Sequence, residues 1–424
     1  MRVLFISINT ELINMATLPL GLACVATATQ RAGHQVKLLD LSSKKDSRTF
    51  IRESIETFPT DIIGISVRNI DNQSMVDTQF LLDQVKDVVT DCRNITDAPI
   101  ILGGAGYSIY PESTLAYLEA DMGIGGEGEV VFPALLDHIQ HGEDISEIPG
   151  LYLPGKKAKI KNQFTVDLDA LAFPDERLWL SSELVNQDVW IPLQTRRGCP
   201  MDCSYCSTAR IEGKVLRKHS PEAAVEMIDR HVKAGFNKFY FTDNTFNIPS
   251  SYAAELCHRL LTSGSGISWM CIVYPWHIEE SLVRAMAQAG CKEVVLGFES
   301  GSEHILSTMN KKFTVKAVRK TSELFKKYGI RQMGCLLLGG PGETKSSVEK
   351  SLTFADSLPL DTLKITVGIR MYPHTALAKI AVEEKRILPS DDLLHPQFYL
   401  AKGLEGWLDG TVKGWMSTRP HWTM

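Results

Sequence analysis

Over the first 145 residues, short unbroken apolar runs alternate with amphipathic stretches. Runs at 3–8, 36–41, 62–67, 100–103 and 122–124 lack the apolar–polar alternation of half-exposed strands. They predict strands buried on both faces. Helical spacing returns between them at 18–32, around 50–57, and at 75–92, 111–119 and 129–141. This alternation predicts an α/β, doubly wound (Rossmann-like) parallel sheet over 1–145, with ligands beyond the strand carboxyl ends. Residues 146–188 break the pattern, with Pro149-Gly150, Pro154-Gly155 and Pro174 marking an ordered connector rather than a flexible tether. Six more apolar runs follow, at 189–194, 238–242, 267–273, 293–297, 333–338 and 363–368, with helical segments between them. The first of these helices, 221–234, has Ser220 as its cap and Pro221 at its first position. Six strand–helix units predict a partial (β/α)6 barrel over 189–375, with chemistry at the strand carboxyl ends. A C-terminal extension, 376–424, carries Tyr399, Trp407, Trp415 and Trp422 and either lids the barrel or packs against it.

Composition narrows the function classes. The 424 residues suffice for two or three domains, and 44% hydrophobic with 22% charged residues is ordinary globular usage. A formal charge of −5 predicts no nucleic-acid surface. The basic cluster Lys156, Lys157, Lys159 and Lys161 alternates with other residues and reads as a solvated hairpin face. No apolar run reaches membrane-spanning length, and MRVLFISIN is too short for a signal peptide, so a cytoplasmic location is expected. Six cysteines (Cys24, Cys92, Cys257, Cys271, Cys291 and Cys335) are scattered through apolar segments, as buried packing in a reducing compartment predicts.

The other three cysteines lie together in Cys199-Pro-Met-Asp-Cys203-Ser-Tyr-Cys206, just after the first barrel run. A zinc site or a saturated iron–sulfur cluster needs four ligands, and the nearest histidine is His219. Three thiols on one loop therefore point to an iron cluster with one position open to a substrate. In the N-terminal domain, Gly103-Gly104-Ala105-Gly106 and Gly125-Gly126-Glu127-Gly128-Glu129 follow the fourth and fifth strands. Such loops admit a phosphate or a bulky ligand close to the backbone. Neither follows a first strand as Gly-x-Gly-x-x-Gly, which argues against dinucleotide binding.

Cys199-x₃-Cys203-x-Tyr205-Cys206 resembles the signature of radical S-adenosylmethionine (SAM) enzymes, including the aromatic residue before the last cysteine. The resemblance implies that the three thiolates hold a [4Fe–4S] cluster whose fourth iron is chelated by SAM. Reductive cleavage of SAM would then yield a 5′-deoxyadenosyl radical. It also implies roles for the strand-end motifs. Asp243-Asn244 would hold the SAM amino group. In Gly297-Phe-Glu299-Ser300-Gly301, Glu299 would contact the ribose or amino group and Ser300 the carboxylate. Gly339-Gly340-Pro341-Gly-Glu343-Thr would leave room beside the adenine, with Glu343 bracing the loop. Tyr372-Pro373-His374-Thr375 departs from the family's Tyr-Pro-Gly-Thr at His374, which either faces the substrate or sits in an exposed turn.

The first 145 residues resemble the cobalamin-binding domain attached to many radical SAM enzymes. The matching segments begin with Leu18-Pro-Leu-Gly-Leu22 and include Asp61-Ile-Ile-Gly-Ile-Ser66 and both glycine loops. The resemblance implies that Leu18, Gly103, Gly104, Gly126, Glu127, Gly128 and Glu129 surround cobalamin. The Asp-x-His-x-x-Gly cobalt-ligating loop is missing, and His34 precedes the second strand at the opposite end of the sheet. Cobalamin is therefore expected without a protein histidine on cobalt. Arg68 is placed either to approach the lower cobalt face or to make a salt bridge or phosphate contact. The whole resemblance implies a cobalamin-dependent radical SAM enzyme that methylates an unactivated carbon. It would take electrons from an external donor such as flavodoxin or ferredoxin and act on a small molecule rather than a macromolecule. An oxidative cyclase or ring-rearrangement enzyme and a non-catalytic cobalamin or iron–sulfur sensor are the alternatives. A methylthiotransferase would need an N-terminal cysteine-rich cluster, whereas only Cys24 and Cys92 precede residue 199.

Overall fold

Val3, Leu4, Phe5 and Ile6 are buried almost completely, as an unbroken apolar strand covered on both faces requires. The structure, a computed structural model, describes every residue except 10–17, 43, 45, 157–159, 161, 181–183 and 186–187. Lys157, Lys159 and Lys161 of the basic hairpin thus lie outside the described residues. The chain forms two compact units. One comprises Met1–Asn72, Gln79–Val189 and Thr208–Gly213; the other comprises Gln73–Thr78, Trp190–Ser207 and Lys214–Met424.

The first unit has strands β1 (Arg2–Ser7), β2 (Gln35–Asp40), β3 (Ile62–Ser66), β4 (Ile100–Gly103), β5 (Met122–Ile124) and β6 (Leu151–Tyr152). Their order is β2-β1-β3-β4-β5-β6, parallel as far as β5, with β6 antiparallel at the edge. The order reverses beside β1, and a doubly wound sheet opens its ligand crevice at such a point. The rings of Phe5 and Phe132 lie 5.0 Å apart in a core shared with Ile101, Leu135 and Leu136.

Two segments depart from the sequence expectation. The helix expected over 75–92 begins only at Leu82. Before it, Ser74 Oγ accepts from the Asp77 amide (3.1 Å) and Asn72 Oδ1 from the Gln79 amide (3.1 Å). Such side-chain bonds give the backbone an alternative to helix. The second departure is β6, formed by part of the expected connector, which covers the otherwise open edge of β5.

The second unit runs β7 (Ile191–Leu193), β8 (Lys238–Phe241), β9 (Ser268–Val273), β10 (Cys291–Glu299), β11 (Arg331–Leu338) and β12 (Thr362–Val367) as parallel neighbours in chain order. Helices separate them; Pro221–Lys233 is capped by Ser220 Oγ, which accepts from the Ala223 amide (3.1 Å). Along β10, Val294, Leu296 and Phe298 are fully buried, and Phe298 meets Phe354 of the helix Lys345–Asp356 edge-on at 5.8 Å. Successive side chains alternate across a strand, so Glu293, Val295 and Gly297 face the barrel interior.

The extension is split between the two ends of this sheet. Its last strand, β13 (Trp422–Thr423), pairs with Leu363 and Lys364 near the start of β12. There Trp415 and Trp422 stack 6.1 Å apart, and Arg419 lies over both rings and bonds Asp356. Phe398–Tyr399 instead pairs with Ile369–Arg370, and the Ala401 amide donates to Gly339 O (2.8 Å), at the strand carboxyl ends. Among the described residues no helix is long and apolar enough to cross a membrane.

Candidate active site

The cysteine loop is built on a fully buried carboxylate. After β7, Asp243 receives the Thr195 amide (2.7 Å), the Thr195 hydroxyl (2.6 Å), the Arg196 amide (2.9 Å) and Arg196 Nε (3.2 Å). Arg196, itself buried, also donates to the carbonyls of Phe246 and Ile248 and lies over the Phe246 and Tyr252 rings. This ties β7 to the end of β8 and sets the direction in which the chain enters the loop. The expectation that Asp243 holds the SAM amino group meets a different placement. Both carboxylate oxygens are already engaged, and the side chain has no exposure. Its neighbour Asn244 is half-buried at the same strand end.

The loop is then clasped from two sides. The Ser204 amide donates to Met309 O (3.0 Å) and Asn310 Nδ2 to Asp202 O (2.6 Å), while the Leu377 amide donates to Ser204 O (2.9 Å). Within the loop the Cys206 amide donates to Cys203 O (3.1 Å), which closes the turn. Cys199 is buried, Cys203 half-buried and Cys206 exposed; all three are thiols outside any disulfide. Among the described residues no three His, Cys, Asp or Glu side chains converge as ligands of a single ion. A cubane takes each thiolate on a different iron, so thiols spread along one clasped loop fit it, and SAM fits the position left without a thiolate.

Beside the loop lies a charged group that the sequence reading did not single out. Lys311 Nζ donates to Glu299 Oε1 (3.2 Å) and to Tyr205 Oη (2.9 Å), and the Tyr205 hydroxyl donates to Glu299 Oε1 (3.1 Å). Glu299 ends β10 at φ +62, after a register shift against β11. A non-glycine residue in this region marks a backbone held by its surroundings, here one that aims a carboxylate at the loop. The rings of Tyr205, Tyr274 and Phe313 face Lys311 Nζ at 5.2, 5.7 and 5.9 Å. Burial disfavours the ammonium, but Tyr205, Glu299 and Cys203 more than offset it, so Lys311 stays protonated well above the usual lysine range. Burial raises the Cys203 thiol above its usual range, and Lys311 offsets only part of that rise. Burial raises the Tyr274 phenol to about 12. Lys311 carried no sequence signal beyond its place in a Lys-Lys pair after a helix.

The remaining barrel motifs divide. Gly297 leaves the interior clear, since a Cβ there would lie 3.2 Å from Glu299 Oε1. The Ser300 hydroxyl, expected at the SAM carboxylate, is fully buried, lies 3.0 Å from Ser351 Oγ and accepts from the Ser302 amide (3.1 Å). Glu343 Oε2 accepts from the amides of Gly339 (2.5 Å) and Gly340 (3.1 Å), bracing the loop, and burial raises its carboxyl to about 7. Gly339 has φ +100, and a Cβ there would meet Leu400 at 2.7 Å; Gly340 and Pro341 are buried beside it. His374 sits in an exposed turn at φ +64, a conformation that explains the glycine of the usual motif.

In the first unit the loops after β3, β4 and β5 come together at the carboxyl end of the sheet. Gly104, at φ +104, leaves room for Val67 O, which a Cβ would meet at 2.6 Å. The Gly106 amide donates to Val67 O (3.0 Å) and the Gly126 amide to Ser108 Oγ (2.9 Å). A Cβ on Gly103 would meet nothing nearer than Ile124 O at 3.8 Å, so the backbone here is not closed over by neighbouring side chains. Exposed Arg68 follows β3 at the same end. Other expected residues have protein partners. Glu127 Oε2 accepts from the Thr165 amide (2.8 Å), and Gly128 opens the helix Gly128–His141 against Val25. Glu129 is buried, and Leu18 is half-buried ahead of the helix Leu20–Arg31. Asn162, which the sequence did not flag, packs on Gly125 and Gly126.

Comparison with known proteins agrees with both halves. Residues 7–136 match the B12 binding domain family and residues 193–355 the Radical SAM superfamily. An uncharacterised methyltransferase of Pyrococcus horikoshii is 28% identical over 384 residues, 87% of this chain and 80% of that one. The radical SAM methyltransferase of Kitasatospora setae, solved with tryptophan substrate and a SAM analogue bound, aligns with a TM-score of 0.82. It is 22% identical over 90% of this chain and 76% of that one. A cobalamin-dependent SAM radical enzyme solved with aqua-cobalamin and SAM aligns with a TM-score of 0.80, at 16% identity over 98% of this chain and 66% of that one. Fold and site together define a radical SAM enzyme with a B12-binding domain. The chain belongs to the cobalamin-dependent radical SAM family, whose cofactors are a [4Fe–4S] cluster, SAM and cobalamin.

Proposed function

We propose that the protein methylates an unactivated carbon of a small organic substrate. The observation that carries this reading is the three-thiol loop, clasped at the carboxyl end of an open parallel barrel in a chain that also has a B12-binding domain. When bound, SAM and cobalamin supply the hydrogen-abstracting radical and the methyl group. The protein's part is placement. Cys199, Cys203 and Cys206 would hold the cluster, and Tyr205 of the same loop bonds Glu299 and Lys311. Glu299 presents its carboxylate at the SAM amino or ribose groups, with Asn244 rather than Asp243 available at the neighbouring strand end. Gly297 keeps the barrel interior clear, and Gly339, Gly340 and Pro341 would leave room beside the adenine. In the first unit, Gly103 would leave space for the corrin, Gly104 lets its loop close against Val67 O, and Arg68 is exposed at the same end of the sheet. Of the relatives named above only the Kitasatospora setae enzyme has a stated substrate, tryptophan, and at 22% identity that substrate is not carried over.

The test is anaerobic reconstitution with iron, sulfide and cobalamin, dithionite in place of the external electron donor, and SAM labelled in its methyl group. Incubation with a soluble metabolite extract should give 5′-deoxyadenosine, S-adenosylhomocysteine and a labelled product heavier by one methylene. Deoxyadenosine with a product that has only lost hydrogen would replace methyl transfer by oxidative cyclisation. An intact cluster that cleaves no SAM would favour a sensor. Replacing Cys199, Cys203 and Cys206 with alanine should remove bound iron and activity together, and retained turnover would refute the site.

A further inference from the structure

Lys311 has more contacts than a simple ion pair requires. Its side chain is 4% exposed, and its ammonium has three N–H donors and no acceptor. One donor is directed to Glu299 Oε1 and another to Tyr205 Oη. Tyr205 belongs to the cysteine loop, two residues after Cys203, and the ammonium lowers the Cys203 thiol against the effect of its burial. The Tyr205 hydroxyl donates to the same Glu299 oxygen, so carboxylate and phenol together fix where the ammonium sits. Three aromatic rings close around it, and the next residue's amide is held by Tyr274 Oη at 2.9 Å. A lysine needed only to neutralise Glu299 would not have to bond a residue of the cysteine loop as well.

We propose that Lys311 is a positioning residue that sets the reduction potential of the cluster, by holding a fixed, buried positive charge at the cysteine loop through Tyr205 and Glu299. Reduction adds one electron and one negative charge to the cluster. A fixed cation beside the cluster favours that state, and nearby charge is one of the factors that tune such potentials. Glu299 acts in the opposite sense, because its carboxylate offsets part of the lysine's charge. The inference rests on the assignment of Cys199, Cys203 and Cys206 as cluster ligands.

The test uses the full chain, reconstituted anaerobically without SAM, as wild type, Lys311→Met, Lys311→Arg and Glu299→Gln. Bound iron and sulfide are counted, and the midpoint potential is read from an EPR-monitored redox titration. Lys311→Met should keep its iron while reduction becomes at least about tenfold less favourable, a shift of roughly 59 mV to more negative potential for one electron. Lys311→Arg should stay within about threefold of wild type, since its charge and donors remain. Glu299→Gln should shift the opposite way. An unchanged potential in Lys311→Met, or shifts of the same sign in Lys311→Met and Glu299→Gln, overturns the proposal while leaving the cluster assignment standing. If Lys311→Met loses its iron, Glu299→Gln decides: a positive shift supports the proposal and no shift overturns it. Wild-type protein that holds no iron defeats the functional reading and this inference together.

Discussion

Replacing Asp243 with alanine separates a structural carboxylate from a SAM ligand. The side chain is wholly buried, and its oxygens serve two donors of Thr195 and two of Arg196. Removing it leaves a guanidinium that is 1% exposed and whose Nη2 already lacks a hydrogen-bond partner. Breaking a buried pair from one side costs about 3–5 kcal/mol, because the surviving charge keeps its desolvation penalty. The Thr195 hydroxyl and two amides lose acceptors as well, at about 1–3 kcal/mol for each group left unsatisfied, although these terms do not add in full. We therefore expect Asp243→Ala to lower the stability of the barrel by about 3–5 kcal/mol. Urea unfolding followed by tryptophan fluorescence should show this as a shifted midpoint with little change in slope. Asp243→Asn keeps the shape but not the charge, and should fall between the two. If Asp243→Ala unfolds at the wild-type midpoint yet no longer binds SAM, the strut argument is wrong and the carboxylate belongs to the ligand.

Other residues give further tests. Burial raises the Glu343 carboxyl from 4.5 to about 7, so the folded state binds its proton more tightly than the unfolded state does. Stability from this group is full below about pH 4.5 and falls as pH rises toward 7, by at most about 3 kcal/mol. Glu343→Gln should remove that slope in unfolding midpoints measured across this range, and an unchanged slope would place the titration elsewhere. Gly104→Ala combines φ +104 with a Cβ 2.6 Å from Val67 O; it should cost about 1–3 kcal/mol and weaken cobalamin retention, read from the absorbance of reconstituted protein. His374→Gly restores the residue type suited to φ +64, so SAM cleavage should be retained. Loss of product formation with SAM cleavage intact would instead put the imidazole at the substrate.

Several expected features follow from local signals and others do not. The cysteine spacing, the glycine loops and the order of strand-end motifs are contiguous in the chain and readable directly. Helix boundaries were less secure where polar side chains compete for the backbone, as Asn72 and Ser74 do before Leu82. Ser300 and Asp243 sit in motifs whose resemblance implied ligand contacts, yet their polar atoms meet Ser351, Thr195 and Arg196. A motif records that a residue type is required at a position. It does not record whether protein or ligand makes the demand.

From the sequence alone come the two α/β halves, the three-cysteine loop and the family resemblance, because periodicity, spacing and turn chemistry are properties of neighbouring residues. Only the tertiary structure decides what surrounds the loop. Lys311 meets Tyr205 across 106 positions, and Asp243 meets Thr195 across 48. No local pattern encodes such pairs. They exist because parallel strands bring their carboxyl ends to one edge, where buried charges must find partners or remain unpaid for in solvation.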